Sequence, residues 1–297
     1  MRKLLTLSLV VFVCASYLPL TAQETKNESG PPKRLQLIIE EVKPGKNAAH
    51  ERSEVQWISA YIKANVPSYG IALTSTTGRN EAWFLNPTGT WTNWAATNKQ
   101  IEQNKVVSAE IAKVASTDGD MLNSTRTMYL DYVPELSYRP DFKLGEMRGF
   151  TVDVVRVKPG HGKEFSEIRK AVNAAHEKAN MDEHMIVYYA SMGSASGTYY
   201  VFEPFKSVAD LDEVDKTHGE DSAYRKALGD DFQKMNREFA LNGLMYMETN
   251  MFSINPAMSW VDEDVAKVAP TFWNQRPSPT RKLTATKKEA KETATGQ

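Results

Sequence analysis

A chain of 297 residues with 36 Lys/Arg against 37 Asp/Glu has a formal charge of −1, too near balance for a nucleic-acid binder, whose phosphate contacts need a basic face. Its single cysteine, Cys14, falls inside the leading apolar run, which excludes disulfides, thiol catalysis and Cys-ligated zinc from the body of the chain. Charge is spread unevenly: residues 23–275 sum to −7 and a +4 segment follows from residue 276, which reads as a solvated end.

The chain opens with "MRK", the apolar run "LLTLSLVVFVCASYLPL" and a small residue, Ala22. This is the pattern of a secretory signal peptide over residues 1–22, and it predicts an exported protein, periplasmic or secreted. Ser, Thr and Pro interrupt the run, which falls short of the roughly 20 apolar residues of a membrane span, so no stable membrane insertion is expected after cleavage. Residues 23–33, "QETKNESGPPK", read as a polar linker. Residues 261–297, rich in Pro, Thr, Lys and Glu, read as a disordered basic tail, with Trp260, Phe272 and Trp273 able to dock its beginning.

Between these ends the chain repeats itself. "RLQLIIEEV" and "GFTVDVVRV" are β-branched, apolar runs of strand character. Lys-Pro-Gly follows each as a turn signal, at 43–45 and 158–160, and then a helix-length segment ending in "KAN" at 63–65 and 178–180. "SYGIALTS" and "EHMIVYYAS" predict second strands. "NEAWFLNP" and "GTYYVFEP" predict third strands, stopped by Pro87 and Pro204. "TWTNWAATNKQ" and "SVADLDEVDKT" begin second helices, and "TRTMYLDYV" and "LMYMETNMF" close each unit as final strands. Each half, 34–140 and 148–256, therefore reads β-α-β-β-α-β, the ferredoxin-like arrangement. Its four-stranded sheet carries both helices on one face. The predicted fold class is α+β: tandem ferredoxin-like repeats covering each other's bare sheet faces as one pseudo-dimeric α/β barrel.

The strand–"VKPG"–helix unit and the aromatic third strand before Pro, over about residues 34–256, resemble the dimeric α/β barrel superfamily, including antibiotic-biosynthesis monooxygenases, haem-degrading monooxygenases and NIPSNAP-like proteins. Haem-degrading members use an Asn on the first strand, a Trp on the third and a His on the second helix. Here Trp83 falls on a third strand in the first half and His218 near a second helix in the second half. Gln36 and Asp153 are the nearest polar residues on the first strands. The triad is assembled in neither half, so no cofactor is predicted.

Strand alternation sorts the side chains. Leu35, Leu37, Ile39, Phe150, Val152 and Val154 form the more apolar sets and are expected under the helices. Gln36, Ile38, Glu40, Thr151, Asp153 and Val155 are then expected inside the barrel. A carboxylate there is costly unless paired, which makes Asp153 a candidate acid or base, or else a structural carboxylate paired with Arg126 or Arg148. His184 joins it as a candidate catalytic residue. Tyr188, Tyr200, Trp83 and Gln36 are candidate ligand-binding residues of an aromatic pocket; the plainer reading is a tyrosine-filled core. His176, beside Glu177, reads as an exposed helical histidine or a ligand for haem or a metal. His50 and His161 sit near helix starts, and "THGED" around His218 reads as a polar helix-end loop. No H-x-x-x-H spacing occurs, and no metal site is predicted. Met245, Met247 and Met251 share a strand face and read as core rather than as a copper site.

Three functions follow as expectations: binding of a small apolar or aromatic molecule between the two sheets, a cofactor-poor monooxygenase or related oxidoreductase, or a structural or interaction protein with a filled barrel. A filled interior would discard the first two. Further oligomerisation is compatible with each.

Overall fold

The computed structural model describes residues 30–63 and 69–275; the predicted signal peptide, most of the linker and the tail beyond 275 lie outside them. The first half runs β1 (Arg34–Val42), α1 (Asn47–Lys63), β2 (Gly70–Ser75), β3 (Glu81–Pro87), α2 (Trp91–Gln103), α3 (Lys105–Asp118) and β4 (Leu122–Tyr132). The second runs β5 (Gly149–Val157), α4 (Gly162–Lys178), β6 (Ile186–Met192), β7 (Thr198–Phe205), α5 (Asp210–Thr217), α6 (Ala223–Asn242) and β8 (Leu244–Trp260), followed by the short helices α7 (Glu263–Val268) and α8 (Pro270–Trp273).

β1 and β5 occupy the predicted runs residue for residue. The Lys-Pro-Gly turns end them because Gly45 and Gly160 take φ of +78° and +92°, a conformation in which a side chain would be strained. The second helices are each split in two. In the first half Asn104 ends α2 and caps α3, its side chain accepting from the Val107 N–H at 3.2 Å. In the second, Ser222 caps α6 by accepting from the Arg225 N–H at 3.1 Å.

The eight strands close a barrel in the order β1-β3-β2-β8-β5-β7-β6-β4, and every pairing is antiparallel. Within it each half keeps the order β4-β1-β3-β2 or β8-β5-β7-β6, and the halves join through β2–β8 and β4–β6. The two sheets thus meet edge to edge, and one set of faces lines a common interior.

The face assignment made from alternation is reversed. Leu35, Leu37, Ile39, Phe150 and Val152 are buried in the barrel interior, with Val154 packed beside them. Gln36, Glu40, Thr151 and Asp153 lie on the outer face, beneath the helices. On the outer face the helices bring His50 to Glu40 at 2.7 Å and Arg169 toward Asp153.

The interior is a packed core. Trp83, Tyr188, Tyr200, Phe150, Phe202 and Phe252 are all nearly inaccessible, and their rings touch in sequence: Trp83–Phe252 at 4.4 Å between centroids, Trp83–Tyr200 at 6.0 Å, Tyr188–Phe202 at 6.0 Å and Phe150–Phe202 at 6.2 Å. Rings of this size bury ~150–250 Å² each, worth roughly 4–6 kcal/mol apiece at about 25 cal/mol per Å². The beginning of the tail docks on the body, where Phe272 and Trp273 meet the core. Val261, Val265, Ala269 and Phe272 pack on this core, Trp273 is buried in it, and the Trp273 indole N–H donates to the Gly145 carbonyl at 3.1 Å. Met245 and Met247, expected in the core, are half exposed.

Candidate functional site

The six residues singled out as a site divide into three groups. Trp83, Tyr188 and Tyr200 do point inward, but as core. The Tyr188 hydroxyl donates to the Pro32 carbonyl at 2.9 Å, the Tyr200 hydroxyl to Met128 Sδ at 3.0 Å, and the Trp83 indole to Glu81 at 2.8 Å. Burial pushes the Tyr200 phenol up to about 12 and Tyr188 higher still, so neither exchanges protons near neutrality. Gln36 lies on the outer face, donating to the Tyr129 hydroxyl at 3.2 Å. Asp153, also outside, accepts from the Thr249 hydroxyl at 2.6 Å. His184 sits apart, its Nδ1 2.5 Å from the Arg139 carbonyl and its ring beside Phe142. Asp153 and His184 share no partner, so the paired acid–base role expected of them inside the barrel does not hold.

Asp153 belongs instead to a network under α4. Its carboxyl is raised by burial, with the Thr249 hydroxyl and the Arg169 guanidinium opposing. Glu203, across from Thr151 on β7, is pushed up to about 7 by burial and by Asp153, despite Arg169 and a hydrogen bond from Thr151 at 3.1 Å. Arg169 is itself buried. One cation thus serves two carboxyls, and at neutral pH Glu203 is poised between its two forms.

A second polar cluster lies under α1. Glu40 (β1), His50 and Glu54 (α1) and Asp118 (the end of α3) bring their donor atoms within 4.8 Å of one another. His50 Nε2 is 2.7 Å from Glu40, 3.9 Å from Glu54 and 4.0 Å from Asp118. Burial and the neighbouring carboxylates push Glu54 up to about 9. A protonated Glu54 lowers the negative charge of the cluster, although Asp118 Oδ1 is buried without a hydrogen-bond partner.

The sequence signal for both clusters was present. On α4, Phe165, Ile168, Val172 and Ala175 set an apolar stripe, and Arg169 and His176 fall within it. On α1, His50, Glu54 and Ile58 follow helical spacing, with His50 and Glu54 standing in an otherwise buried face. Charged residues at core-facing positions of a helix need partners, and that requirement identifies them.

A groove on the outer face, of about 520 Å³, is lined by Tyr132, Tyr189, Tyr199, Glu135, Lys158 and Ser166, among others. Tyr189 and Tyr199 are the outward-facing neighbours of the core tyrosines Tyr188 and Tyr200, and their rings stand 5.2 Å apart. Phe165 of α4 backs Tyr199 at 4.5 Å. The volume falls in the range of small-ligand sites.

No protein-family model matches the chain, and no curated protein matches it. Solved structures do. A proposed monooxygenase from Fusobacterium nucleatum superposes with a TM-score of 0.50 at 11% identity, over 74% of this chain and 91% of its own. An anthrone oxidase-like protein gives 0.48 at 10% identity, over 76% and 93%. A mutant chlorite dismutase from Candidatus Nitrospira defluvii gives 0.44 at 7% identity, over 82% and 97%. The likeness to the first is one of fold: this is a mixed α/β protein with an eight-stranded antiparallel barrel. Among the described residues no helix is long and apolar enough to cross a membrane.

Proposed function

We propose that the protein binds a small, partly aromatic molecule in the outer groove floored by Tyr189 and Tyr199, with the filled barrel acting as its scaffold. The observation that carries this reading is the groove itself: two half-buried phenol rings, Tyr189 and Tyr199, beside a volume suited to one small ligand. Aromatic floors with a few polar groups at the rim are the usual make-up of such sites, and Lys158, Glu135 and Ser166 supply the rim here. The interior site is withdrawn because packed rings occupy it.

The barrel is read as an internal duplication, supported by the matching Lys-Pro-Gly turns and the identical strand order of the two halves. Export is the natural setting given the leading segment. The monooxygenase-like reading rests on fold alone; fold does not determine activity, and it needs a reactive group at the groove, where Glu135 and Asp131 are the carboxyls available.

Titration of the purified protein with 1-anilinonaphthalene-8-sulfonate and a panel of bicyclic aromatic acids, followed by fluorescence and calorimetry, tests the reading. Saturable one-to-one binding that Tyr199→Ala and Tyr189→Ala each weaken at least tenfold is expected. Binding by no panel member, or binding indifferent to both substitutions, overturns it.

A further inference from the structure

His176, Glu183 and His218 come from three separate places, the last turn of α4, the loop before β6 and the residue that caps α5, yet their donor atoms lie within 4.8 Å of one another. The two rings are held alike. His176 Nδ1 is 2.8 Å from the carbonyl of Val172, four residues back, and His218 Nδ1 is 3.0 Å from the carbonyl of Val214, again four residues back. A carbonyl can only accept, so in each ring Nδ1 carries the proton. With Nδ1 so engaged, both Nε2 atoms face one carboxylate oxygen: Glu183 Oε2, at 3.0 Å from His176 and 3.6 Å from His218.

Two imidazole nitrogens and a carboxylate oxygen converging on one point call for positive charge between them, a proton or a metal ion. Tyr224 encloses the group, its ring 4.5 Å from each imidazole, and His176 is 2% exposed. An N–H-to-carbonyl bond behind each ring is the arrangement that fixes the tautomer of metal-ligating histidines. Ligands about 2.0–2.2 Å from a tetrahedral ion stand roughly 3.3 Å apart, close to the two separations here.

We propose that His176, Glu183 and His218 bind one divalent ion of the borderline class, Zn(II), Co(II), Ni(II) or Fe(II), through two imidazole nitrogens and a carboxylate. Hard cations are disfavoured because two of the three donors are nitrogen. Glu183 and His218 have side chains 23% and 29% exposed, so solvent completes the coordination shell and an exchangeable ligand can reach the ion. The site does not depend on the groove binding anything.

The experiment is titration of the metal-stripped protein with Co(II) and Zn(II), read by calorimetry and by the visible absorption of bound Co(II). The Glu40–His50–Glu54–Asp118 cluster could take up an ion of its own, so the decisive quantity is the change in stoichiometry. His218→Ala, at a partly exposed position, should lower the number of bound ions by one, and Glu183→Gln should weaken the same equivalent at least tenfold. Circular dichroism and the melting temperature show whether each variant remains folded, and the paired variant His50→Ala should leave this equivalent in place. If the parent binds no stoichiometric Co(II), the assignment fails. It fails equally if a folded His218→Ala binds as many ions as the parent.

Discussion

Trp83 of β3 and Phe252 of β8 stand 4.4 Å apart, ring centroid to ring centroid, one from each half of the chain. Both belong to a single interior cluster that draws on β1 and β3 as much as on β5 and β7. The halves therefore share one core, and cutting Trp83→Ala should cost about 3–5 kcal/mol of stability through lost burial and the cavity left behind. Denaturant unfolding followed by tryptophan fluorescence and by circular dichroism should give one coincident transition, in parent and variant alike. Two separated transitions would mean that the halves fold independently.

The carboxyl of Glu54 makes stability pH-dependent in a defined direction. Its folded value of about 9 stands above the ordinary 4.5, so between those values the folded chain holds a proton that the unfolded chain releases. Stability contributed by the proton is complete below pH 4.5 and is lost as pH rises toward 9. Glu54→Gln removes the titration. The variant should gain on the parent as pH rises from 5 to 9, by on the order of 1 kcal/mol per pH unit at the steepest. Urea unfolding at pH 5, 7 and 9 measures the gap, and a constant gap would refute the assignment.

The Arg169 guanidinium acts on both Asp153 and Glu203. Arg169→Met strands two buried carboxyls and should destabilise by about 3–5 kcal/mol. Adding Asp153→Asn and Glu203→Gln to the same chain should recover part of that loss, since removing a whole buried charge network is far less costly than removing one partner. A triple variant no more stable than Arg169→Met alone would show that the methylene packing of Arg169, rather than its charge, matters.

Trp273 closes the core from the C-terminal side. Trp273→Ala should cost about 3–5 kcal/mol and raise binding of 1-anilinonaphthalene-8-sulfonate, by uncovering part of the interior cluster to which Trp273 belongs. Thermal melts with and without the dye check both. A melting temperature within a degree of the parent would mean that the short helices α7 and α8 are only loosely applied.

The elements were legible where local chemistry decides them. The runs 34–42 and 149–157, their Lys-Pro-Gly turns and the Pro-terminated third strands all carry their own signals. Which face of a strand looks inward was not, because both faces of β1 and β5 are largely covered and alternation alone does not say which side is dry. Asp153 was placed inside on the apolarity of its neighbours, while the residue that holds it outside, Arg169, lies on another element. Glu183 drew no notice either: nothing in its surroundings along the chain brings it to His176 and His218. The breaks at Asn104 and before Ser222 were missed because a cap in mid-pattern looks like one polar residue among many.

Closure through β2–β8 and β4–β6 also bears on behaviour at low concentration. A barrel assembled from two separate chains falls apart when sufficiently diluted. Here residues 133–148 tie one half to the other, so each meets its counterpart at a fixed effective concentration. The assembled barrel should persist at nanomolar protein, and none of its eight strands is left with an unpaired edge that would recruit a further strand.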